Sequence, residues 1–333
     1  MNYIGSKHKL SRFIKQAIYD VAGTDLKGKV FCDIFAGTGI IGRNFKAEVK
    51  HVIANDLEYY SYVLLKNYIG NHKPIDAQHL IDELNSLEGL RGFVFNEYSE
   101  NGMSGRQYFN ESNGCKIDAM RTYIEKWKIE GRICSEEYYF LLASLLESAD
   151  KVANTASVYG AYLKHIKKSA QKDLILQPAE FIATENNNFV FNEDSNVLIN
   201  HIEGDILYLD PPYNTRHYGA NYHLLNTIAK YDGFNPKGKT GLREYVKSQF
   251  CRKTSALQAL DYLVKNARFK YIFLSYNNEG LIPAEQIKKT LSAYGNYDVV
   301  SVDYPRFRSD NENRRMFKAT STSEYLHILV KNS

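Results

Sequence analysis

The sequence predicts an α/β protein, a largely parallel sheet whose two halves are separated by a helical insertion. Three observations carry this. Short apolar runs that end in an acid recur as KVFCD, HVIAND and DILYLD. Each is followed by a turn or by a helix-like stretch, the alternation expected of crossover-connected parallel strands. Between the second and third runs, residues 75–185 read as mainly helical.

Taken in order, HKLSRFIKQAIYD places Leu10, Phe13, Ile14 and Ile18 at helical spacing. KVFCDIFAGTGIIGRNFK (29–46) is a buried strand, a glycine turn and a helix start. HVIAND is the next strand, and LEYYSYVLLKNYI the helix after it. In the insertion, KIDAMRTYIEKWKIEG aligns Ile117, Met120, Ile124 and Trp127 on one face, and SEEYYFLLASLLESADKVAN opens with Ser135 as its expected N-cap. Between these helical stretches and the segment before them lies the polar, glycine-rich loop NGMSGRQYFNESNG, too long for a simple connector and read as either mobile or functional. The β/α rhythm returns with FVFNEDSNVL, DILYLD and YIFLSYN, and YDVVSVDYP with EYLHILVK form an antiparallel pair around a basic loop. The division this implies is one discontinuous α/β domain, residues 1–70 and 186–333, with residues 71–185 inserted.

A chain of 333 residues with 44% hydrophobic and 24% charged residues can bury a sizeable core. A net charge of +4 permits a polyanion partner without requiring one. Most of the 26 tyrosines are read as half-buried packing. The four cysteines form no C-x-x-C pair, so neither a zinc site nor a disulfide framework is signalled. With no secretory or membrane-spanning segment visible, a cytoplasmic protein without membrane contact is expected.

Gly37 and Gly39 let the chain turn tightly and let a ligand approach the backbone. By itself this G-x-G is weak evidence, and the third glycine of the dinucleotide fingerprint is missing. Asp33 precedes the turn, and Asp56 ends the next strand, where a carboxylate can accept the hydroxyls of a ribose. An acid at Asp33 would repel a pyrophosphate but meet an ammonium, which favours S-adenosylmethionine over a dinucleotide.

The sequence ILYLDPPYNTRHY places Asp210 at the end of an apolar strand, followed by Pro211, Pro212 and Tyr213. Prolines have no N–H, so this turn offers carbonyl oxygens without competing donors. A carboxylate beside a carbonyl is an acceptor-only pair, suited to an amino group with two protons to give, and Tyr213 supplies a flat face for a base. The exocyclic N6 of adenine fits. Acceptors that draw its N–H bonds toward tetrahedral geometry localise its lone pair and stabilise the charge developing on nitrogen.

NYIGSK (2–7), DIFAGTG (33–39), Asp56 after IAN and DPPY (210–213), in this order, resemble the motifs of Dam-like (alpha-class) DNA adenine-N6 methyltransferases. The resemblance implies a Rossmann-like S-adenosylmethionine-dependent methyltransferase sheet, no metal, and transfer of a methyl group to N6 of an adenine flipped out of duplex DNA. Asp210, Pro211, Pro212 and Tyr213 become the catalytic group. By position, Tyr3, Gly5 and Lys7 take the methionine end of the cofactor, although Ser6 stands where the family has a second glycine. Asp33, Phe35, Gly37, Gly39, Asp56, Asp194 and Asp210 complete the cofactor side. For Asp194 the neighbours Glu193 and Asn196 are equally polar alternatives. The insertion 71–185 stands where the family has its target-recognition domain, and a restriction-modification setting with a cognate endonuclease is expected.

Three basic clusters are candidates for gripping DNA: Lys164, His165, Lys167, Lys168 and Lys172; Lys237, Lys239, Arg243, Lys247, Arg252 and Lys253; and Arg306, Arg308, Arg314, Arg315 and Lys318. His217 has no assigned role. The alternatives are an RNA base methyltransferase (adenine-N6 or guanine-N2) and a DNA-binding protein that has lost catalysis.

Overall fold

The computed structural model describes residues 7–305 and 321–332. Contacts divide the chain into two units: Glu58–Val190 with Tyr218–Val246, and Lys7–Leu57 with Phe191–His217 and the residues from Lys247 onward. Among the described residues no helix is long and apolar enough to cross a membrane.

The second unit holds a seven-stranded sheet, all of it except Phe189 and Val190 of the third strand. Its strands are β1 (Val30–Asp33), β2 (His51–Asn55), β3 (Phe189–Phe191), β4 (Glu203–Leu209), β5 (Arg268–Asn277), β6 (Gly295–Pro305) and β7 (Ser321–Lys331). Their spatial order is β3-β2-β1-β4-β5-β7-β6. β1 runs parallel to β2 and β4, and β4 parallel to β5, whereas β7 is antiparallel to both β5 and β6. This is a Rossmann-like α/β sheet. The parallel strands are apolar and buried in their central stretches, Phe31–Cys32, Val52–Ala54, Ile206–Leu209 and Ile272–Leu274, because both faces are covered there, as crossover helices require. Helix Ser11–Ala22 buries Ile14, Ala17 and Ile18, and helix Ala256–Asn266 buries Leu260, Leu263 and Val264. The expected antiparallel pair is β6 with β7, but the basic loop between them lies outside the described residues.

The first unit is helical, and its longer members are Tyr59–Leu65, Gln78–Ser86, Glu111–Ile129, Ser135–Val152 and His223–Lys230. Ile117, Met120, Ile124 and Trp127 line one buried face of Glu111–Ile129, as their spacing requires. Leu224, Leu225 and Ile228 are likewise buried. Tyr98 and Tyr108 are fully buried with their hydroxyls donating to Gly241 O at 2.6 Å and Tyr159 O at 2.7 Å. Packing therefore accounts for these rings.

Two local expectations are corrected. The cap of Ser135–Val152 is Cys134, not Ser135: its sulfur accepts the Glu137 N–H at 3.5 Å, and the Glu137 carboxylate accepts the Cys134 N–H at 2.8 Å. The mainly helical reading of 75–185 stops at Val152: residues 153–185 hold only one short 3-10 turn, Lys168–Gln171. Side-chain amides hold this strap instead. Asn113 accepts the Leu174 N–H at 2.8 Å and donates to Lys172 O at 2.9 Å. Asn85 does the same with both backbone groups of Leu176, at 2.8 and 3.1 Å. Each amide replaces the partner that a helix or ladder would provide.

Candidate active site

In the second unit β1 ends at Asp33, while Asp56 and Asp210 follow the ends of β2 and β4. The strands stand in the order β2-β1-β4, and Asp33 is level with Ala54 on one side and Tyr208 on the other. Chain order reverses between β1 and β4, which makes this edge the topological switch point of the sheet, where ligands of open α/β sheets bind.

Asp33 is 1% exposed, and its Oδ1 has no hydrogen-bond partner among the described residues. Burial, followed by the charge of Asp210, raises its carboxyl well above the usual range, although the Gly42 and Phe35 backbone N–H groups pull the other way. The glycine turn follows, with Gly37 at φ 53° and Gly39 at φ 75°. These are left-handed conformations that suit residues without a Cβ. Asp56 holds the turn: its Oδ2 accepts the Gly37 N–H at 2.8 Å. Phe35 is half-buried, edge-on to Phe250 with ring centres 5.0 Å apart.

Asn55 fastens this edge together, a role with no signal in the sequence beyond its place before Asp56. It is 1% exposed, donates to Ile34 O at 3.0 Å and Glu193 O at 3.1 Å, and accepts the Glu193 N–H at 3.0 Å. Asn192 adds a bond to Asp56 O at 2.8 Å. Asp194 caps helix Ser195–Leu198, its Oδ1 accepting the Asn196 N–H at 2.8 Å.

Asp210 leaves β4 directly into buried Pro211. Lys7 Nζ stands 3.0 Å from Asp210 Oδ1, 3.8 Å from Glu324 Oε2 and 5.5 Å from the centre of the Tyr213 ring. Burial pushes Asp210 up to about 6 against the opposing pull of Lys7. Burial alone would lower Lys7, but Asp210, Tyr213 and Glu324 outweigh it and hold the ammonium well above its usual range. Tyr213 is fixed edge-on to Tyr276 at 5.8 Å, and its carbonyl accepts the Leu281 N–H at 3.0 Å. Burial pushes its hydroxyl up to about 12.

The structure thus brings Lys7, Asp210 and Tyr213 together, and Gly37 with Asp56. Tyr3 and Gly5 lie outside the described residues. Glu324 was missed by sequence reasoning. Its only signal is topological: the N-terminal end of a strand antiparallel to β5 falls at the carboxyl edge of the parallel strands.

The basic clusters separate by environment. Lys164, His165, Lys168 and Lys172 are exposed, whereas Lys167 donates to Thr155 O at 2.7 Å. Lys239, Lys247, Arg252 and Lys253 are exposed, and Lys237 is exposed but ion-paired with Glu244 at 2.6 Å. Arg243 is a correction. It is 7% exposed, paired with Asp232 at 2.7 Å, donates to Asn226 O at 3.3 Å and stacks 4.7 Å from the Phe234 ring centre. Its burial, ion pair and ring contact give it a packing role within its own unit. Arg306, Arg308, Arg314, Arg315 and Lys318 lie outside the described residues. His217 is half-buried, and burial, with Lys247 and Arg252, lowers its pKa.

Known proteins are similar to this chain over most of its length. The chain is 56% identical over 332 residues to the Type II methyltransferase M.NlaIII of Neisseria lactamica, covering 99% of each chain. It is 40% identical over 319 residues to the Type II methyltransferase M.CviAII of Paramecium bursaria Chlorella virus 1, covering 93% of each. It is 37% identical over 348 residues to the Type II methyltransferase M.FokI of Planomicrobium okeanokoites, where the whole chain matches 53% of that protein. Residues 3–290 match the description D12 class N6 adenine-specific DNA methyltransferase, and the chain belongs to that family.

Proposed function

We propose that this DNA adenine methyltransferase binds S-adenosylmethionine along Asp33, Gly37, Gly39 and Asp56, and holds a flipped adenine against Asp210, Pro211, Pro212 and Tyr213. The observation that carries this reading is the placement of Asp33 and Asp210 at the ends of adjacent parallel strands, on either side of the switch point. The residues fit the cofactor. The buried Oδ1 of Asp33, without a partner among the described residues, suits an ammonium donor, and the glycine turn lets a ligand reach backbone N–H groups. A carboxylate such as Asp56 has lone pairs for more than one donor, so its bond to Gly37 is compatible with accepting a ribose hydroxyl. Tyr3, Gly5, Phe35 and Asp194 complete the cofactor side.

When bound, S-adenosylmethionine supplies a methyl group on a sulfonium. The chain's own residues align and polarise the amine that takes it. Asp210 and the Pro211 carbonyl accept the two N–H bonds of N6, which localises the lone pair, and Tyr213 stacks the base. The chain's residues would hold N6 toward the methyl group that the cofactor supplies, and the surplus N6 proton would leave to water. Lys7 stands on Asp210, and we assign it to setting that carboxylate.

The relatives are named type II methyltransferases, which supports a restriction-modification setting, duplex DNA as substrate and a cognate endonuclease as partner. The segment 71–185 is assigned to target recognition. The family match sets aside the RNA-base alternative. Asp210→Ala tests the reading: methyl incorporation into duplex DNA should fall by about 10²–10³ or more, with cofactor binding by calorimetry at least partly retained. Retained methylation would overturn the assignment of Asp210, and sequencing of modified bases in DNA from cells making the chain gives the target.

A further inference from the structure

The geometry points to Glu324 as a positioning residue for the methyl-transfer reaction, acting on Asp210 through the ammonium of Lys7 that the two carboxylates share. This rests on the role given to Asp210 above.

Glu324 lies on β7, level with Asn277 of β5 and Val302 of β6. Leu209, the last residue of β4, is level with Leu274 of β5, so Glu324 and Asp210 reach the same edge of the sheet from different strands. Lys7 is 5% exposed between them, and the two carboxylate side chains are 17% and 12% exposed. One buried cation therefore serves two nearly buried anions. A lysine ammonium is a compact point charge with three donors and no fixed fork. Held by Asp210 alone, it would turn wholly onto that carboxylate and draw off the electron density that should meet the adenine amine. Glu324 pulls from the other side. It keeps Lys7 at the position recorded here and leaves Asp210 a stronger acceptor.

The other titratable groups around Asp210 do not duplicate this. Asp33 is on the neighbouring strand β1, the Tyr208 hydroxyl is bonded to Ser275 Oγ at 2.8 Å, and Tyr213 presents its ring to Lys7. Opposite signs act on Asp210: Lys7 lowers its pKa and Glu324 raises it. Removing the Glu324 charge leaves Lys7 unopposed, so the Asp210 carboxyl becomes more acidic and a weaker acceptor.

The test is single-turnover methyl transfer to duplex DNA at saturating cofactor, followed across pH for the parent, Glu324→Gln and Glu324→Asp, with thermal unfolding of each. For Glu324→Gln the rate at neutral pH should fall about tenfold. Its acid limb should move to lower pH by about half a unit or more, with KM for both substrates little changed. Glu324→Asp retains the charge one methylene farther away, so its limb should lie between the other two. A Glu324→Gln limb superimposable on the parent's overturns the inference, even if the rate and melting temperature fall, because that pattern marks a purely structural role. If Glu324→Gln does not fold, a Glu324→Asp limb coincident with the parent's overturns it equally. Activity retained in Asp210→Asn would instead sink the reading of the site itself, independently of Glu324.

Discussion

Asn113 and Leu174 are joined as ladder partners would be, although one uses its side chain: the buried amide accepts the Leu174 N–H at 2.8 Å and donates to the adjoining carbonyl of Lys172 at 2.9 Å. Asn113→Ala should destabilise the protein by about 2–4 kcal/mol, because it removes two bonds and leaves the buried Leu174 N–H unpaired. Asn113→Asp should cost no less, since a carboxylate would then face the Lys172 carbonyl. Denaturant unfolding followed by circular dichroism measures both. A change within about 0.5 kcal/mol would show that the strap is held elsewhere.

Activity should depend on a group that titrates at about 6, the value to which burial pushes Asp210. The carboxylate is the active form, so the methyl-transfer rate should fall as pH drops through that value and level off above it. Lys7 opposes the upward push, so Lys7→Met should move the limb to higher pH. A parent profile that stays flat down to about pH 5 would show that Asp210 remains ionised there, against the rise expected from its burial.

Arg243 and the exposed lysines should respond to different assays. Arg243→Ala strands Asp232 and the Asn226 carbonyl, so it should lower the melting temperature. Combined Lys164→Ala, Lys168→Ala and Lys172→Ala substitutions should leave melting unchanged, weaken duplex DNA binding and flatten its salt dependence by about 2–3 in log–log slope. Equal salt slopes for parent and triple variant would take this cluster off the DNA.

Asp118 is fully buried within helix Glu111–Ile129, where it accepts the N–H groups of Gly92, Val94 and Phe95 at 3.1, 2.8 and 2.7 Å. Its carboxylate thereby closes the open end of helix Phe93–Tyr98 and also takes the Tyr231 hydroxyl at 2.5 Å. Asp118→Ala should cost about 3 kcal/mol or more, visible as a lower denaturant midpoint. Asp118→Asn should not rescue it, because an amide N–H₂ cannot accept what the second carboxylate oxygen accepts.

The strand-ending acids were legible because an apolar run that terminates in a carboxylate has few other uses, and the face of Glu111–Ile129 was legible from its period. The strap at 172–179 was not, since its partners Asn85, Asn113, Ser144 and Ser148 sit on other helices far away in sequence. Cys134 was passed over as a cap in favour of the more usual serine beside it. Arg243 looked like one more cation in a basic run, because burial under Phe234 leaves no trace in composition. Glu324 reads as an ordinary strand residue until β7 is seen to lie between β5 and β6.

That interposed strand also governs the order in which the sheet can be finished during synthesis. β6 leaves the ribosome before its neighbour β7, and the flank of β5 stays bare for the same interval. A nascent or truncated chain lacking β7 thus exposes two raw margins at once, an invitation to pair with another copy. Such a chain would be lost to clumping before its want of Glu324 could be felt.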